Sequence, residues 1–267
     1  MSKQIIQNTI DDLTKLREIS PLVHNITNYV VMNNTANALL AIGASPIMAH
    51  AIEEVEEMVT ICSATVINIG TLSEPWIQSM EKAASKATSL KKPLILDPVG
   101  AGASNLRNSA IKRILNAGSP TIIRGNASEI LSTLSSSGKT KGVDATDSSE
   151  SAIETGKSLA GVTRGTVVIS GVTDYILNQN QKSLIQNGDA LMTKVTGLGC
   201  TASSLCGAFA AVQTDSFRAA TSAMAVMGIA GEMAVAKTKS PGSFQIAFLD
   251  ALYELNADQI QKHLKGE

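Results

Sequence analysis

The sequence predicts an α/β protein, a doubly wound and mostly parallel central sheet with helices on both faces, forming a single domain over residues 1–267. Short, β-branched apolar runs closed by Gly, Pro or Asn alternate with helix-like stretches along most of the chain, as buried parallel strands do. Hydrophobic residues are 44% of the 267, ample for a sizeable core. Aromatics are only 3%, so that core must be built from Ala, Ile, Leu, Val and Met.

The elements follow in chain order. MSKQIIQNTIDDLTKLREIS carries acids within its apolar period and lacks a signal-peptide core, so residues 1–19 read as an amphipathic helix. SPLVHNIT reads as a strand, followed by a helix from about Val30 to Ile42. SPIMA is a second strand, followed by an acidic helix from Glu53 to Met58. Then come the strand TVINIG, a helix around Trp76 to Leu90, the strand PLILDPVG, a helix from about Asn105 to Asn116, and the strand PTIIRGN. SSSGKTKGVDATDSSES, residues 135–151, reads as a surface loop inside one domain because the strand-helix rhythm resumes after it. TVVISG is one more inner strand, DYILNQNQKSLIQNG a hairpin turning near residues 178–181, and the chain after Gly197 is almost wholly helical.

Several function classes are disfavoured. A net charge of -1 with scattered lysines leaves no basic stripe for nucleic acid. No run of about 20 apolar residues is present to span a membrane. Cys62, Cys200 and Cys206 lack zinc-type spacing and leave an odd thiol in any pairing, which suits a reducing cytoplasm. Cys62 and Cys206 read as buried thiols on apolar helical faces, and His24 and His50 as structural histidines.

Ligands of open α/β sheets bind beyond the carboxyl ends of the strands. The residues there are Asn25, Asn28, Met48, Gly70, Thr71, Asp97, Arg124, Asn126, Glu129, Ser170 and Gly171. Asp97, directly after LIL, is placed to face Mg²⁺ or its waters, and equally to form a turn before Pro98. Glu129 follows Asn126 as a second acid or as the partner in a helix cap. Arg124 ends TIIR and supplies a phosphate clamp. Opposite them, KVTGLGCTAS puts Gly197, Gly199 and Cys200 at the start of an apolar helix, where free amides attract anions. An anion hole is the first reading of this turn and a reactive thiol the second. Gly197, Gly199 and Ala202 also match G-x-G-x-x-A, which would make the chain a nicotinamide-dependent oxidoreductase; the polar TKVT before it is a poor central strand.

Longer blocks carry a resemblance. PLVHNITNYVVMNNTANALLAIGASPIMA, VINIGTL, LILDPVGAGAS, IIRGNASEI and KVTGLGCTASSLCGAF follow, in order, the pattern of the hydroxyethylthiazole kinases, thiamin-salvage enzymes of the ribokinase-like superfamily, and the similarity runs from about residue 20 to 252. The resemblance implies transfer of the γ-phosphate of ATP to the primary alcohol of 4-methyl-5-(2-hydroxyethyl)thiazole with Mg²⁺, in trimers with sites between subunits. It implies that Asp97 and Glu129 organise Mg²⁺, that Arg124 and Ser170 hold ATP, and that Asn25, Met48, Gly70 and Gly197 shape the thiazole pocket. Asn25 or Met48 would then reach a neighbour's site. Cys200 stands where many relatives in the wider superfamily carry an aspartate base, and acts either as a base or as a guide for the hydroxyl. Hydroxymethylpyrimidine or another small alcohol is the alternative substrate within the same superfamily.

Overall fold

The computed structural model describes residues 2–137 and 149–267. One eight-stranded sheet runs in the order β2-β1-β3-β4-β5-β6-β7-β8. Strands β1 (Leu22–Ile26), β2 (Ser45–Met48), β3 (Ala64–Asn68), β4 (Leu94–Asp97), β5 (Ile122–Asn126) and β6 (Thr166–Ser170) are parallel. β7 (Asp174–Leu177) and β8 (Lys182–Ile185) form the expected hairpin and add two antiparallel strands at one edge. The order reverses between β1 and β3, the switch point at whose carboxyl ends open α/β sheets bind ligands.

Alternate strand residues face two separate cores. Val23, Val66, Ile95, Ile122 and Val168 pack under α1 (Ser2–Ile19), α2 (Met32–Ile42), α8 (Leu198–Val212), α9 (Ser216–Lys237) and α10 (Pro241–Glu254). Ile26, Ile67, Leu96, Ile123 and Ile169 pack under α3 (Val55–Ile61), α4 (Glu74–Ser89), α5 (Asn105–Ala117), α6 (Ala127–Ser136) and α7 (Ser149–Thr163). A last helix, α11 (Ala257–His263), closes against α1 and α9. The fold class is therefore the expected one.

Small residues let α8 approach the sheet closely. A methyl at Gly207 would stand 2.7 Å from Val66 Cγ2. Helix α9 is long and apolar enough to cross a membrane by length and composition, but 83% of its apolar window is buried inside the fold, as a core helix requires. Three details depart from expectation. Residues 30–31 are a turn and α2 begins at Met32; the acidic helix runs later, over Val55–Ile61; and Cys62 is buried just past that helix, beside Thr65 Oγ1, rather than on its face. Of the loop expected over 135–151, its first residues complete α6 and its last ones begin α7; residues 138–148 lie outside the described residues.

Candidate active site

On the face covered by α8, the apolar strand pattern ends in a row of polar residues. Two positions beyond Val66, Ile95, Ile122 and Val168 stand Asn68, Asp97, Arg124 and Ser170. Asn68 pairs with Asp97 across β3 and β4, and Asp97 and Arg124 follow the Leu96–Ile123 pair of β4 and β5. Strand alternation thus aims all four at the first turn of α8.

The side chains form one network. Asn68 Nδ2 donates to Asp97 Oδ2 at 2.7 Å, and Ser203 Oγ from α8 donates to the same oxygen at 2.8 Å. Asn28 Nδ2 donates to Asn68 Oδ1 at 2.9 Å and to Cys200 Sγ at 3.6 Å. Asp97 is buried, and its Oδ1 has no partner. Burial pushes its carboxyl up to about 6, against the opposing pull of the Arg124 charge and the Ser203 hydrogen bond. Buried polar atoms are nearly always paired, so the orphaned Asp97 oxygen at a strand end is an acceptor that the fold itself leaves unsatisfied.

Arg124 crosses to α8. Its Nη2 donates to Ser170 Oγ, its buried Nε has no partner, and Nη1 would stand 2.8 Å from a methyl placed on Gly199. Gly197 caps α8 with φ +87°, a backbone state that favours glycine. The amides of that first turn have no carbonyl one turn back, so they and Arg124 face one small volume. Nearby, Gly171 N donates to Asp174 Oδ1, and burial raises the Asp174 carboxyl to about 6.

The Cys200 thiol is pushed up to about 11, first by burial and then by the Asp97 charge. It is therefore a neutral thiol at physiological pH, which disfavours both a thiolate nucleophile and a thiolate base. No histidine hydrogen-bonds it among the described residues: His24 Nε2 contacts Ala49 O at 2.7 Å, and the His50 ring packs tilted against Trp76. The oxidoreductase alternative also fails. A 3-10 turn, Ala190–Lys194, precedes Gly197 where a dinucleotide site needs a strand.

Glu129 performs the capping role in full. Asn126 Oδ1 accepts from Glu129 N, and Glu129 Oε2 accepts from Asn126 N, both at 2.9 Å. Its Oε1 accepts from Gly100 N at 2.9 Å, which ties the loop after β4 to α6. Each oxygen keeps a lone pair. No group of three or more His, Cys, Asp or Glu residues suited to a metal exists among the described residues. Two carboxylates, one with an orphaned oxygen, fit a magnesium ion that takes its remaining ligands from water and phosphate.

The expected pocket residues separate. Gly70 N donates to Asn68 Oδ1, and a methyl at Gly70 would meet Asn28 Nδ2 at 2.4 Å, so only glycine fits there. Met48 ends the edge strand β2 and is half-buried. Asn25 pairs with Val66, one alternation step below the polar row. Its side chain is buried and committed to Val23 O and to Ser204 Oγ, which donates to it at 2.7 Å. The expectation that Asn25 reaches a neighbouring subunit is corrected accordingly, since its amide is spent inside its own chain. Sequence reasoning misses Asn68 and Ser203; a polar residue inside an apolar strand, in phase with Asp97 and Arg124, is the signal for Asn68, and Ser203 on α8 carries no such signal.

The architecture is that of the ribokinase-like proteins. A solved ribokinase-like superfamily protein from Enterococcus faecalis V583 overlays with a TM-score of 0.59 at 15% identity, over 90% of this chain and 88% of that one. The chain belongs to the hydroxyethylthiazole kinase family, whose model matches residues 13–258. A hydroxyethylthiazole kinase of Leptospira biflexa serovar Patoc is 82% identical over all 267 residues, covering 100% of both chains. The solved structure of the hydroxyethylthiazole kinase protein from Pyrococcus horikoshii OT3 is 43% identical with a TM-score of 0.91, over 98% of each chain.

Proposed function

We propose that this chain phosphorylates the primary alcohol of 4-methyl-5-(2-hydroxyethyl)thiazole with ATP, as a cytoplasmic step of thiamin salvage. The observation that carries the reading is the row of Asn68, Asp97, Arg124 and Ser170 facing the open first turn of α8. Arg124 and the amides at Gly199 and Cys200 receive the transferred phosphoryl group, and Ser170 holds Arg124 in place. Asp97 Oδ1 and Glu129 would hold Mg²⁺, which neutralises charge on the phosphates when bound. Gly70, Met48 and Gly197 border the thiazole side.

In a loose transition state the attacking alcohol loses its proton late, so orientation matters more than a strong base. The neutral Cys200 thiol, held by Asn28, guides the hydroxyl. Cys200→Ala is therefore expected to lose about 10²-fold in kcat or less, the lower end of a general-base effect. Cys200→Asp is expected to stay active with weaker ATP binding, because the new carboxylate lies close to Asp97 and the triphosphate. Steady-state kinetics check both, and a folded, ATP-binding but dead Cys200→Asp enzyme would remove the guide role.

A coupled ADP-release assay over a panel of alcohols tests the function itself. Turnover of the thiazole alcohol is expected; turnover of hydroxymethylpyrimidine alone would reassign the substrate. The single tryptophan gives a second readout. Trp76, in the first turn of α4, packs against Tyr29 and His50 at ring separations of 5.0 and 4.4 Å, joining that helix to the loops that follow β1 and β2. Saturable change of its emission is expected with the thiazole alcohol and not with ATP alone. Equal responses to both would place the aromatic group away from the alcohol side.

A trimer with sites shared between copies accompanies this reading. Exposed Leu40 on α2 and Ile246 and Tyr253 on α10 support burial of that side between copies. Light scattering at micromolar concentration checks it, and a monomeric mass would remove it.

A further inference from the structure

Arg107 occupies the first turn of α5, where its N–H donates to the Ser104 cap. Its guanidinium turns back beneath the strand ends. Nη1 donates to Ile69 O and Val99 O, both at 2.6 Å, and Nη2 donates to Gly70 O at 3.0 Å. One planar group thus ties the loop leaving β3 to the loop leaving β4, and no carboxylate forms an ion pair with it among the described residues.

Each loop is coupled to one carboxylate of the site. Gly70 N holds Asn68 Oδ1, and Asn68 in turn holds Asp97. Gly100 N holds Glu129 Oε1, and Gly100 lies against the Arg107 guanidinium, with 3.3 Å from its missing methyl to Nε. We infer that Arg107 is a positioning residue for phosphoryl transfer, fixing the separation of Asp97 and Glu129 by clamping the two loops they depend on. The inference rests on the kinase reading above. A rigid fork fixes the spacing between carbonyls on two loops; a lysine ammonium gathers its acceptors around one point, as Lys92 does at the single end of α3, and sets no such spacing.

Arg17 provides an internal control. It clamps the carbonyls of Ile42, Leu252, Tyr253 and Leu255 in the same manner, between α1, α2 and α10. Arg107→Lys is expected to lower kcat at least about 10-fold, as small misplacements at a reacting centre do, and to raise the Mg²⁺ concentration for half-maximal rate. Arg17→Lys is expected to lower the melting temperature with kcat and Mg²⁺ dependence unchanged. Amide hydrogen exchange is the readout independent of turnover. The Gly70 and Gly100 amides of the wild-type protein are expected to exchange slowly for loop residues, and residues 69–71 and 99–102 to exchange faster in Arg107→Lys.

Wild-type Gly70 and Gly100 amides exchanging at open-loop rates would overturn the clamp even if the variant failed to fold. So would Arg107→Lys kinetics matching those of Arg17→Lys. A wild-type protein that phosphorylates no alcohol would overturn the kinase reading instead, and the exchange measurement would still decide for the clamp.

Discussion

Asp97→Asn is expected to lower kcat at least about 10³-fold and to raise the melting temperature at neutral pH. On the proposed reading the loss follows from removing the buried charge and the orphaned Oδ1 that would hold Mg²⁺, whose charge neutralisation would be worth several kcal/mol. The gain follows from linkage. The carboxyl sits at about 6 in the folded protein against its ordinary 3.8, chiefly because burial disfavours the charge. At pH 7 both states are ionised, and holding that charge in the fold costs roughly 3 kcal/mol. The cost is progressively relieved as pH falls through about 6 towards 3.8, and Asn carries none of it. Melting curves at pH 7 and pH 5, with rates against Mg²⁺, check both halves: the variant's stability advantage must shrink on acidification. Glu129→Gln is expected to differ in sign: Gln keeps the capping box with its one amide oxygen, as Gln259 does in α11, but turns an NH2 towards Gly100 N, costing about 1 kcal/mol of stability as well as activity. Unchanged rates and Mg²⁺ dependence in both variants would return the two residues to turn and cap roles.

Gly199→Val is expected to cost at least about 10³-fold in kcat/KM for ATP, well beyond the loss of the neighbouring thiol. The first atom of any side chain at 199 would stand 2.8 Å from Arg124 Nη1 and 3.4 Å from Nη2. The guanidinium is the far end of a flexible side chain, so it can leave, and the fold survives. Its departure breaks the Ser170 contact and covers the first-turn amides with hydrocarbon. Calorimetric titration with ATP, beside a circular dichroism spectrum, checks this; a folded variant that binds ATP as wild type does would show that the α8 turn is not the phosphate site.

Much of this arrangement was legible in the sequence because parallel strands announce themselves as short β-branched runs. Asp97, Arg124 and Ser170 lie at the ends of such runs, and the hairpin turned where its Asn and Gln residues indicated. What the sequence concealed depends on register. Asn25 and Asn28 stand three residues apart in one motif, yet only pairing with β3 reveals that Asn25 lies a step below the polar row while Asn28 reaches Cys200. Asn68 sits inside an apolar strand, and its role appears only when it is set beside Asp97. Ser203 and Arg107 act on partners 106 and 38 residues away, contacts that local periodicity does not encode. The sequence around Glu129 suits a metal-site acid and a helix cap equally, and the structure gives it a cap whose second oxygen also holds the β4 loop.

The close seat of α8 has a consequence for how the molecule is made. Leu198–Val212 lies against β1, β3, β4 and β5, strands that emerge from the ribosome 70 or more residues earlier, and a methyl at Gly207 would meet both Val23 and Val66. Until that helix arrives, the face bearing Val23, Val66, Ile95 and Ile122 lacks the cover of α8, α9 and α10, and Asp97 lacks its Ser203 donor. A nascent chain halted before Gly197 therefore presents an apolar sheet face to solvent, the kind of surface that chaperones retain. The helix that covers this core is the same one that brings the Gly197 turn to Arg124, so burial of the sheet face and assembly of the proposed site are a single event.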